Sequence, residues 1–494
     1  MTQASEVDLL IIGGGVNGCG IARDAAGRGL SVLLVERDDL AAHTSSASTK
    51  LIHGGLRYLE YYEFRLVREA LAEREVILGI APHLVKPLRF VMPLVDDMRP
   101  AWMIRTGLFL YDHIGGKTSL PKSEGVKLEG TPWGAGLKPV ERGFIYSDAW
   151  VDDARLVALN AISAAEKGAT IRTHTGFKAA RRDGDRWIAT LDDGSAVSAR
   201  AIVNTAGPWV SRVLGDVAGV HAELPPRLVK GSHIIVPRMY EGEHAYILQN
   251  EDKRIIFAIP YERDFTVVGT TDKPFEGDPS APKIDQDEID YLCSSINRYF
   301  AKPIGEKDIV RSYSGVRPLF DDGAEDAAAV TRDYVLKLGT SEGPQLLSAF
   351  GGKITTYRRL SEHALEMLEP FLPEMGPSWT GDVPLPGGDL PGGDFEAFLL
   401  MVRDRWPFLS ADNAERMARA YGTRIAMVLG DATELEDLGG GLSLREIDYL
   451  VTHEWAHTAE DVLWRRTKIG LHTGPETLAI VEAHVATLLE KLSV

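Results

Sequence analysis

The run Val7-Asp8-Leu9-Leu10-Ile11-Ile12 breaks on Gly13-Gly14-Gly15-Val16-Asn17-Gly18, and no other stretch constrains the chain as strongly. Six residues rich in branched apolar side chains predict a strand. A glycine turn and a helix-compatible segment follow, as far as Gly27-Arg28-Gly29. Val32-Leu33-Leu34-Val35 then predicts a second strand, ended by Glu36. Strand, glycine turn, helix, strand and acid, in that order, form a dinucleotide-binding βαβ unit and predict an α/β fold with a parallel sheet. Gly13 permits the tight turn, Gly15 lets the backbone approach a pyrophosphate, and Gly18 lets the helix pack close to the strand. The N–H groups at the helix start suit phosphate oxygens. Glu36, eighteen residues after Gly18, is placed to accept hydrogen bonds from ribose hydroxyls, and its charge would repel a 2′-phosphate, which argues against NADP. The motif alone leaves NAD and FAD both open.

A chain of 494 residues has room for two to four domains at roughly 150 residues each. Its formal net charge of -17 and isoelectric point near 5.3 argue against nucleic acid as the main partner, since phosphate backbones need a basic surface. An anionic substrate must meet a local cluster of cations instead. The two cysteines, Cys19 and Cys293, make a disulfide framework an unsuitable reading and fit a reducing compartment. The first six residues carry no basic segment, and the first apolar run is too short for a signal or a membrane span. A cytoplasmic protein, or one on the cytoplasmic side of a membrane, is expected.

Helices are predicted over 63–79 and 151–167, the second closed by Lys167-Gly168. Strands are predicted over 170–182, 187–191 and 196–203, with Asp193-Gly194 as a hairpin turn. Ala201-Ile202-Val203-Asn204 ends on Thr205-Ala206-Gly207-Pro208-Trp209, which fits a strand returning to the nucleotide sheet. The β-rich segment 228–270 predicts a separate substrate sheet. Helices are expected around 285–300 and over 355–369. Proline and glycine cluster over 373–393 and predict a linker, beyond which the chain is helical in character.

Two more glycine turns, His53-Gly54-Gly55 and Gly351-Gly352, would let backbone N–H groups approach a planar ring. The second opens a helix whose N-terminal partial charge would stabilise a reduced flavin; ordinary turns have the same composition. Arg57, His233, Arg317, Arg332 and Lys353 each sit beside turn or strand-end signals. Converging, they would form a phosphate site; apart, they would be surface ion pairs. His453-Glu454-Trp455-Ala456-His457 matches the zinc-peptidase pattern H-E-x-x-H, but no third ligand follows at a suitable spacing, and no metal is expected. The apolar stretch 99–111, with two arginines, is too short to span a bilayer. Either it lies in a membrane interface with Trp102 and Tyr111 at headgroup level, or it packs as a helix beneath an active site.

Long motifs then carry a family resemblance. They are residues 12–18, Thr44-Ser45-Ser46-Ala47-Ser48-Thr49-Lys50-Leu51-Ile52-His53-Gly54-Gly55-Leu56-Arg57-Tyr58-Leu59, Trp150-Val151-Asp152-Asp153-Ala154-Arg155-Leu156, Ala206-Gly207-Pro208-Trp209, Lys230-Gly231-Ser232-His233, Ser314-Gly315-Val316-Arg317-Pro318-Leu319 and Gly351-Gly352-Lys353-Ile354-Thr355-Thr356-Tyr357-Arg358. Through them, nearly end to end, the chain resembles the FAD-dependent glycerol-3-phosphate dehydrogenases, most closely the bacterial aerobic type. The resemblance implies an α/β (α+β) fold. Its parts would be a glutathione-reductase-like FAD-binding Rossmann domain over 1–80, 148–225 and 345–375, a β-sheet substrate domain over 81–147 and 226–344, a linker over 376–393, and a C-terminal helical domain over 394–494.

It further implies non-covalent FAD held by Gly13, Gly14, Gly15, Val16, Asn17, Gly18, Glu36, Arg37, Thr44, Ser45, Ser46, Lys50, Leu51, His53, Gly54, Gly55, Phe177, Ala206, Gly207, Gly352, Lys353, Ile354 and Thr355. Arg332, Lys353 and Tyr58 would hold the phosphate of sn-glycerol 3-phosphate, with Arg57 nearby. Hydride would leave C2 for flavin N5, giving dihydroxyacetone phosphate. His233 would take the hydroxyl proton, because its unperturbed pKa lies near operating pH, and Arg317 would polarise the forming carbonyl. A homodimer on the inner face of the cytoplasmic membrane, passing electrons to ubiquinone or menaquinone, completes the implied picture. The alternatives are an oxygen-using flavin oxidase of the same phosphate or of an amino acid, a zinc peptidase through His453 and His457, and a non-catalytic flavin-binding module.

Overall fold

The computed structural model describes residues 5–95, 99–218, 226–320, 333–339 and 343–492. The strand Ser5–Ile12 lies inside an eight-stranded sheet, parallel to Val32–Val35 on one side and Ala196–Asn204 on the other. Thr170–Arg172 extends the sheet beyond Val32–Val35, and Gln345–Phe350 extends it beyond Ala196–Asn204, both in parallel. Successive residues of the first strand feed opposite cores, as the period of two requires. Leu9 and Ile11 pack with the helices Val16–Gly27, Asp153–Glu166 and Tyr357–Leu368; Leu10 and Ile12 pack with Trp187, Val210 and Phe350. A strand covered on both faces is why this run is continuously apolar. Ile12, Val35, Asn204 and Ser348 are in register, so four strand ends open into one crevice, the usual ligand position in such sheets.

A ten-stranded sheet forms the other half. Its strands Val85–Pro93 and Arg142–Val151 run antiparallel, and Arg227–Pro237 pairs antiparallel with Phe265–Gly269 and Arg311–Leu319. Two sequence-based boundaries shift here. Leu51–Ile52 and residues 148–151 belong to this second sheet rather than to the nucleotide sheet, because a strand keeps its ladder to its end. Val335–Leu338, expected in the substrate domain, is an antiparallel edge strand of the first sheet.

The expected linker 376–393 is a packed strap. Its prolines and glycines prevent regular structure without preventing burial. Gly376 N–H donates to Arg28 O (2.9 Å) and Leu385 N–H to Ile80 O (2.8 Å). The Trp379 indole donates to Asp24 O (3.1 Å), and Leu385 and Leu390 are buried. Beyond it, capped helices form their own core. Asp394 caps Phe395–Arg405, Ser410 caps Ala411–Tyr421 and Ser443 caps Leu444–Glu454, each side-chain oxygen accepting from orphan N–H groups of the first turn.

That last helix removes the zinc-peptidase alternative. It stops at Glu454, and Trp455 turns left-handed at φ 54°. His453 stacks on Tyr449 while His457 stacks on His174, and Glu454 forms a buried ion pair with Arg155. Two imidazoles held on different partners across a helix break do not make a ligand pair. The stretch 99–111 divides its roles. In the helix Ala101–Ile114, Trp102 and Phe109 are exposed, but Tyr111 is buried; it is not at any surface, contrary to the headgroup expectation. Its hydroxyl donates to Asp148 (2.8 Å) and accepts from Gly54 N–H (2.7 Å). Among the described residues no helix is long and apolar enough to cross a membrane.

If the strap belongs to the core, Leu385→Ala, at a side chain 1% exposed, will lower unfolding stability by about 2–5 kcal/mol, read as a drop in the urea midpoint. An unchanged midpoint would return the segment to linker status.

Candidate active site

The crevice at the strand ends opens into a cavity of about 910 Å³ that runs between the two sheets. Gly13 makes the turn at φ +114°, where a Cβ would stand 2.6 Å from Thr205 O. Gly18 allows the helix to close on the strand: a Cβ there would meet Gly13 O at 1.9 Å. Gly14 and Gly18 therefore shape the cradle from behind, while Gly13, Gly15, Val16 and Asn17 line it. Asn17 Nδ2 donates to Gly351 O (3.1 Å) and joins the first glycine turn to Gly351 and Gly352, which sit at φ +71° and +100°.

Glu36 lines the same crevice. Its carboxylate accepts from Gly14 N–H (2.6 Å) and Asp38 N–H (2.9 Å), which uses one lone pair on each oxygen and leaves others for ribose hydroxyls. Burial pushes its pKa up, against the pull of these two donors. Glu36, Asp38 and His43 bring possible ligand atoms within 4.8 Å of one another, but His43 Nε2 already pairs with Asp38 (2.8 Å). Arg37 stacks over Trp209 at 3.9 Å, beside Phe177, Ala206 and Gly207. Thr44, Ser45, Leu51, His53, Gly55, Gly352, Ile354 and Thr355 complete the wall. Ser45 Oγ accepts from Val16 N–H (3.0 Å), and Thr355 Oγ1 from His53 N–H (3.2 Å).

Several expected cofactor contacts sit elsewhere. Gly54 faces away from the cavity, because a Cβ there would meet Leu71 and the Tyr111 hydroxyl. Ser46 and Lys50 line a smaller neighbouring cavity of about 270 Å³. Lys50 is committed to a buried ion pair with Asp153 (2.7 Å) and to Ser46 O (3.1 Å).

At the other part of the main cavity stand Arg57, Tyr58, His233, Arg317 and Lys353. Lys353 Nζ is buried with no hydrogen-bond partner among the described residues, as is Arg57 Nε, and the Lys353 ammonium lies 3.8 Å from the Tyr58 ring centre. Arg317 pairs with Asp272 (3.1 Å). Arg332 lies outside the described residues. His233 is 1% exposed and stacks on Tyr313. Its Nε2 is 3.0 Å from Thr49 Oγ1, and Nδ1 has no partner. Burial, then the Arg317 and Lys50 cations, holds its pKa well below the ordinary histidine value. The sequence argument from an unperturbed pKa therefore fails, because burial and the neighbouring cations both disfavour the charged imidazolium.

Sequence reading missed Thr270 and Asp272, which follow the strand Phe265–Gly269, and Arg254, Tyr146 and Phe257, all on the cavity wall. The first two carried a legible signal, a polar pair just past a strand end. Tyr146 and Phe257 read as ordinary strand residues.

Comparison with known proteins agrees with this geometry. The family model described as FAD dependent oxidoreductase matches residues 8–358, and one described as the C-terminal domain of alpha-glycerophosphate oxidase matches residues 378–494. A glycerol-3-phosphate dehydrogenase of Pseudomonas aeruginosa is 55% identical over 96% of this chain and 93% of its own. A D-erythritol 1-phosphate dehydrogenase of Brucella abortus is 52% identical over 98% of both. The crystal structure of the Bacillus halodurans glycerol-3-phosphate dehydrogenase complexed with FAD superposes with a TM-score of 0.72, at 25% identity over 98% of this chain and 95% of that one. A cradle that excludes side chains at Gly13, Gly18 and Gly352, next to a free acceptor set on Glu36, fits FAD. The chain belongs to the FAD-dependent oxidoreductases and, within them, to the glycerol-3-phosphate dehydrogenase family.

Proposed function

We propose that the protein oxidises sn-glycerol 3-phosphate to dihydroxyacetone phosphate and passes the electrons to a membrane quinone. The observation that carries the substrate reading is the Lys353 ammonium, buried and, among the described residues, without a hydrogen-bond partner, in a cavity it shares with Arg57 and Arg317. A dry, unpaired cation is costly, and a phosphate dianion removes the cost. Arg57, Tyr58 and Lys353 hold the phosphate, with Arg332 as a further candidate. Arg317 polarises the oxygen on C2 as it becomes a carbonyl; as an arginine it does not take the proton. His233 takes the hydroxyl proton at Nδ1 while Nε2–H donates to Thr49 Oγ1. Bound FAD supplies the two-electron acceptor for the C2 hydrogen. Holding donor and acceptor in contact contributes up to ~7–11 kcal/mol in well-oriented systems.

Anaerobic addition of sn-glycerol 3-phosphate will bleach the flavin absorbance, and glycerol at the same concentration will not. Lys353→Met will raise KM by about 10–100-fold, the loss of a charge-assisted contact worth roughly 1.5–3 kcal/mol. Preferential bleaching by D-erythritol 1-phosphate would move the assignment to the four-carbon ester, and stoichiometric peroxide in air would move it to an oxidase.

Because His233 is already neutral, its protonation removes activity only as pH falls through its depressed folded-state pKa. The acid limb of kcat at saturating substrate will therefore lie well below pH ~6.5, the free histidine value. His233→Ala will lower kcat by about 10²–10⁴-fold with a smaller change in KM. An acid limb at the free histidine value, or normal turnover in the variant, would remove His233 as the base.

The membrane reading is supported by one surface. Trp102 (72% exposed), Phe109 and Leu110 project from the helix Ala101–Ile114, and the turn Leu56–Tyr61 that packs on it leads to Tyr61 and to Tyr62 (79% exposed). Aromatic residues on an amphipathic helix, with Arg105 and Lys122 nearby in the chain, suit an anionic lipid interface. Trp102→Ser with Phe109→Ser will weaken binding to phosphatidylglycerol vesicles in a flotation assay by about tenfold or more, as expected for removing two aromatic side chains of apolar area. Undiminished flotation would place the membrane contact elsewhere.

A further inference from the structure

The C-terminal helical domain does not line the main cavity, yet one of its segments grips one end of a loop that does and braces the residue next to the anchor of the other end. Residues 39–50 run from just beyond Glu36 to the second sheet and carry Thr44 and Ser45 on the cavity wall. Near each end the backbone is left-handed without a glycine, at Ala41 (φ 60°) and Lys50 (φ 59°). Non-glycine residues keep such conformations only where their surroundings hold them.

At the Asp39 end the holding groups are cations of the tail. Arg466, 1% exposed, forks onto both oxygens of Asp39, 2% exposed (2.8 and 2.7 Å). Its Nη2 and Nε also donate to Glu454 O (2.7 and 3.2 Å), which fixes the guanidinium plane. Arg465 adds a third bond to Asp39 (2.6 Å). At the other end, Asp153 takes Lys50 Nζ and Ser48 Oγ (both 2.7 Å), and the adjacent Asp152 pairs with Lys468. Lys468 is itself left-handed at φ 57° and bonds Arg465 O (2.9 Å). Between the clamps, Ala41 N–H donates to Gly14 O (3.1 Å) and Ser45 Oγ accepts from Val16 N–H. The loop is thus tied at its Asp39 end to the tail, at its Lys50 end to Asp153, whose neighbour Asp152 the tail holds, and in its middle to the phosphate-binding turn.

We propose that Arg466 and Lys468 are positioning residues for FAD: by pinning Asp39 and Asp152 they hold loop 39–50 against the glycine turn, so that the C-terminal domain sets how tightly the flavin is retained. Neither side chain reaches the cavity, and both act through the loop. Another contact of the C-terminal domain, Arg424 with Glu166, touches no part of this loop and provides the control.

The test uses the full-length holoenzyme and follows FAD release after dilution by the rise of free-flavin fluorescence, with circular dichroism recording the fold. Arg466→Met and Lys468→Met are expected to release FAD about tenfold faster or more, a change of roughly 1.4 kcal/mol in the barrier. Arg466→Lys, which keeps the charge but loses the fork, should fall between them and the parent. Arg424→Met should match the parent. Should Arg466→Met fail to fold, Asp39→Asn combined with Arg466→Gln removes both charges together, and faster release is again expected. Parent-like release from Lys468→Met and from the Arg466 variants would overturn the proposal. So would equally fast release from Arg424→Met, since domain docking in general, and not this clamp, would then be responsible.

Discussion

The helix Val16–Gly27 reaches the end of the strand Ser5–Ile12 only because position 18 has no side chain; a Cβ there would stand 1.9 Å from Gly13 O. That backbone approach is the reference for the whole cofactor side. It brings the first helical turn to the cavity, sets Asn17 opposite Gly351 O, and presents Val16 N–H to Ser45 and Gly14 O to Ala41. Widening the gap by even one methyl group would shift every one of these partners, because packed interiors do not absorb such a volume without movement.

The charge of -17 and a cationic pocket are reconciled by where the acids are used. Arginines buried for structural reasons have their own carboxylates: Arg74 has Asp148, Arg358 has Glu73, and Arg155 has Glu454. Lys353 has none. An acidic protein can therefore bind an anion, since what matters is the local balance inside a cavity of low dielectric rather than the sum over the chain.

Much of this was legible in the chain itself, for identifiable reasons. The strand, glycine turn, helix and acid could be read because each backbone requirement there is met by one residue type. Lys50 was misread because its neighbours Thr44, Ser45 and Leu51 do face the cavity, whereas a left-handed φ turns its own side chain toward Asp153, more than a hundred residues away. The strap over 376–393 looked like a linker because proline and glycine report only local backbone freedom, whereas the burial of Leu385 depends on contact with Ile80. His233 was placed near the chemistry by its motif, but its pKa is lowered by burial first and then by the Arg317 and Lys50 cations, which no linear pattern displays.

The bond from Asn17 to Gly351 spans 334 positions, and the nucleotide sheet draws its central strands from residues near 10, 200 and 345. Synthesis at the ribosome delivers these pieces in order, so the complete glycine fingerprint emerges long before its partners exist. A nascent chain of even three hundred residues lacks the strand Gln345–Phe350 and the turn that closes over the crevice. Until Gln345–Phe350 is made, the apolar strand Ala196–Asn204 has one edge unpaired, and exposed edges of this kind are where incomplete chains misassemble.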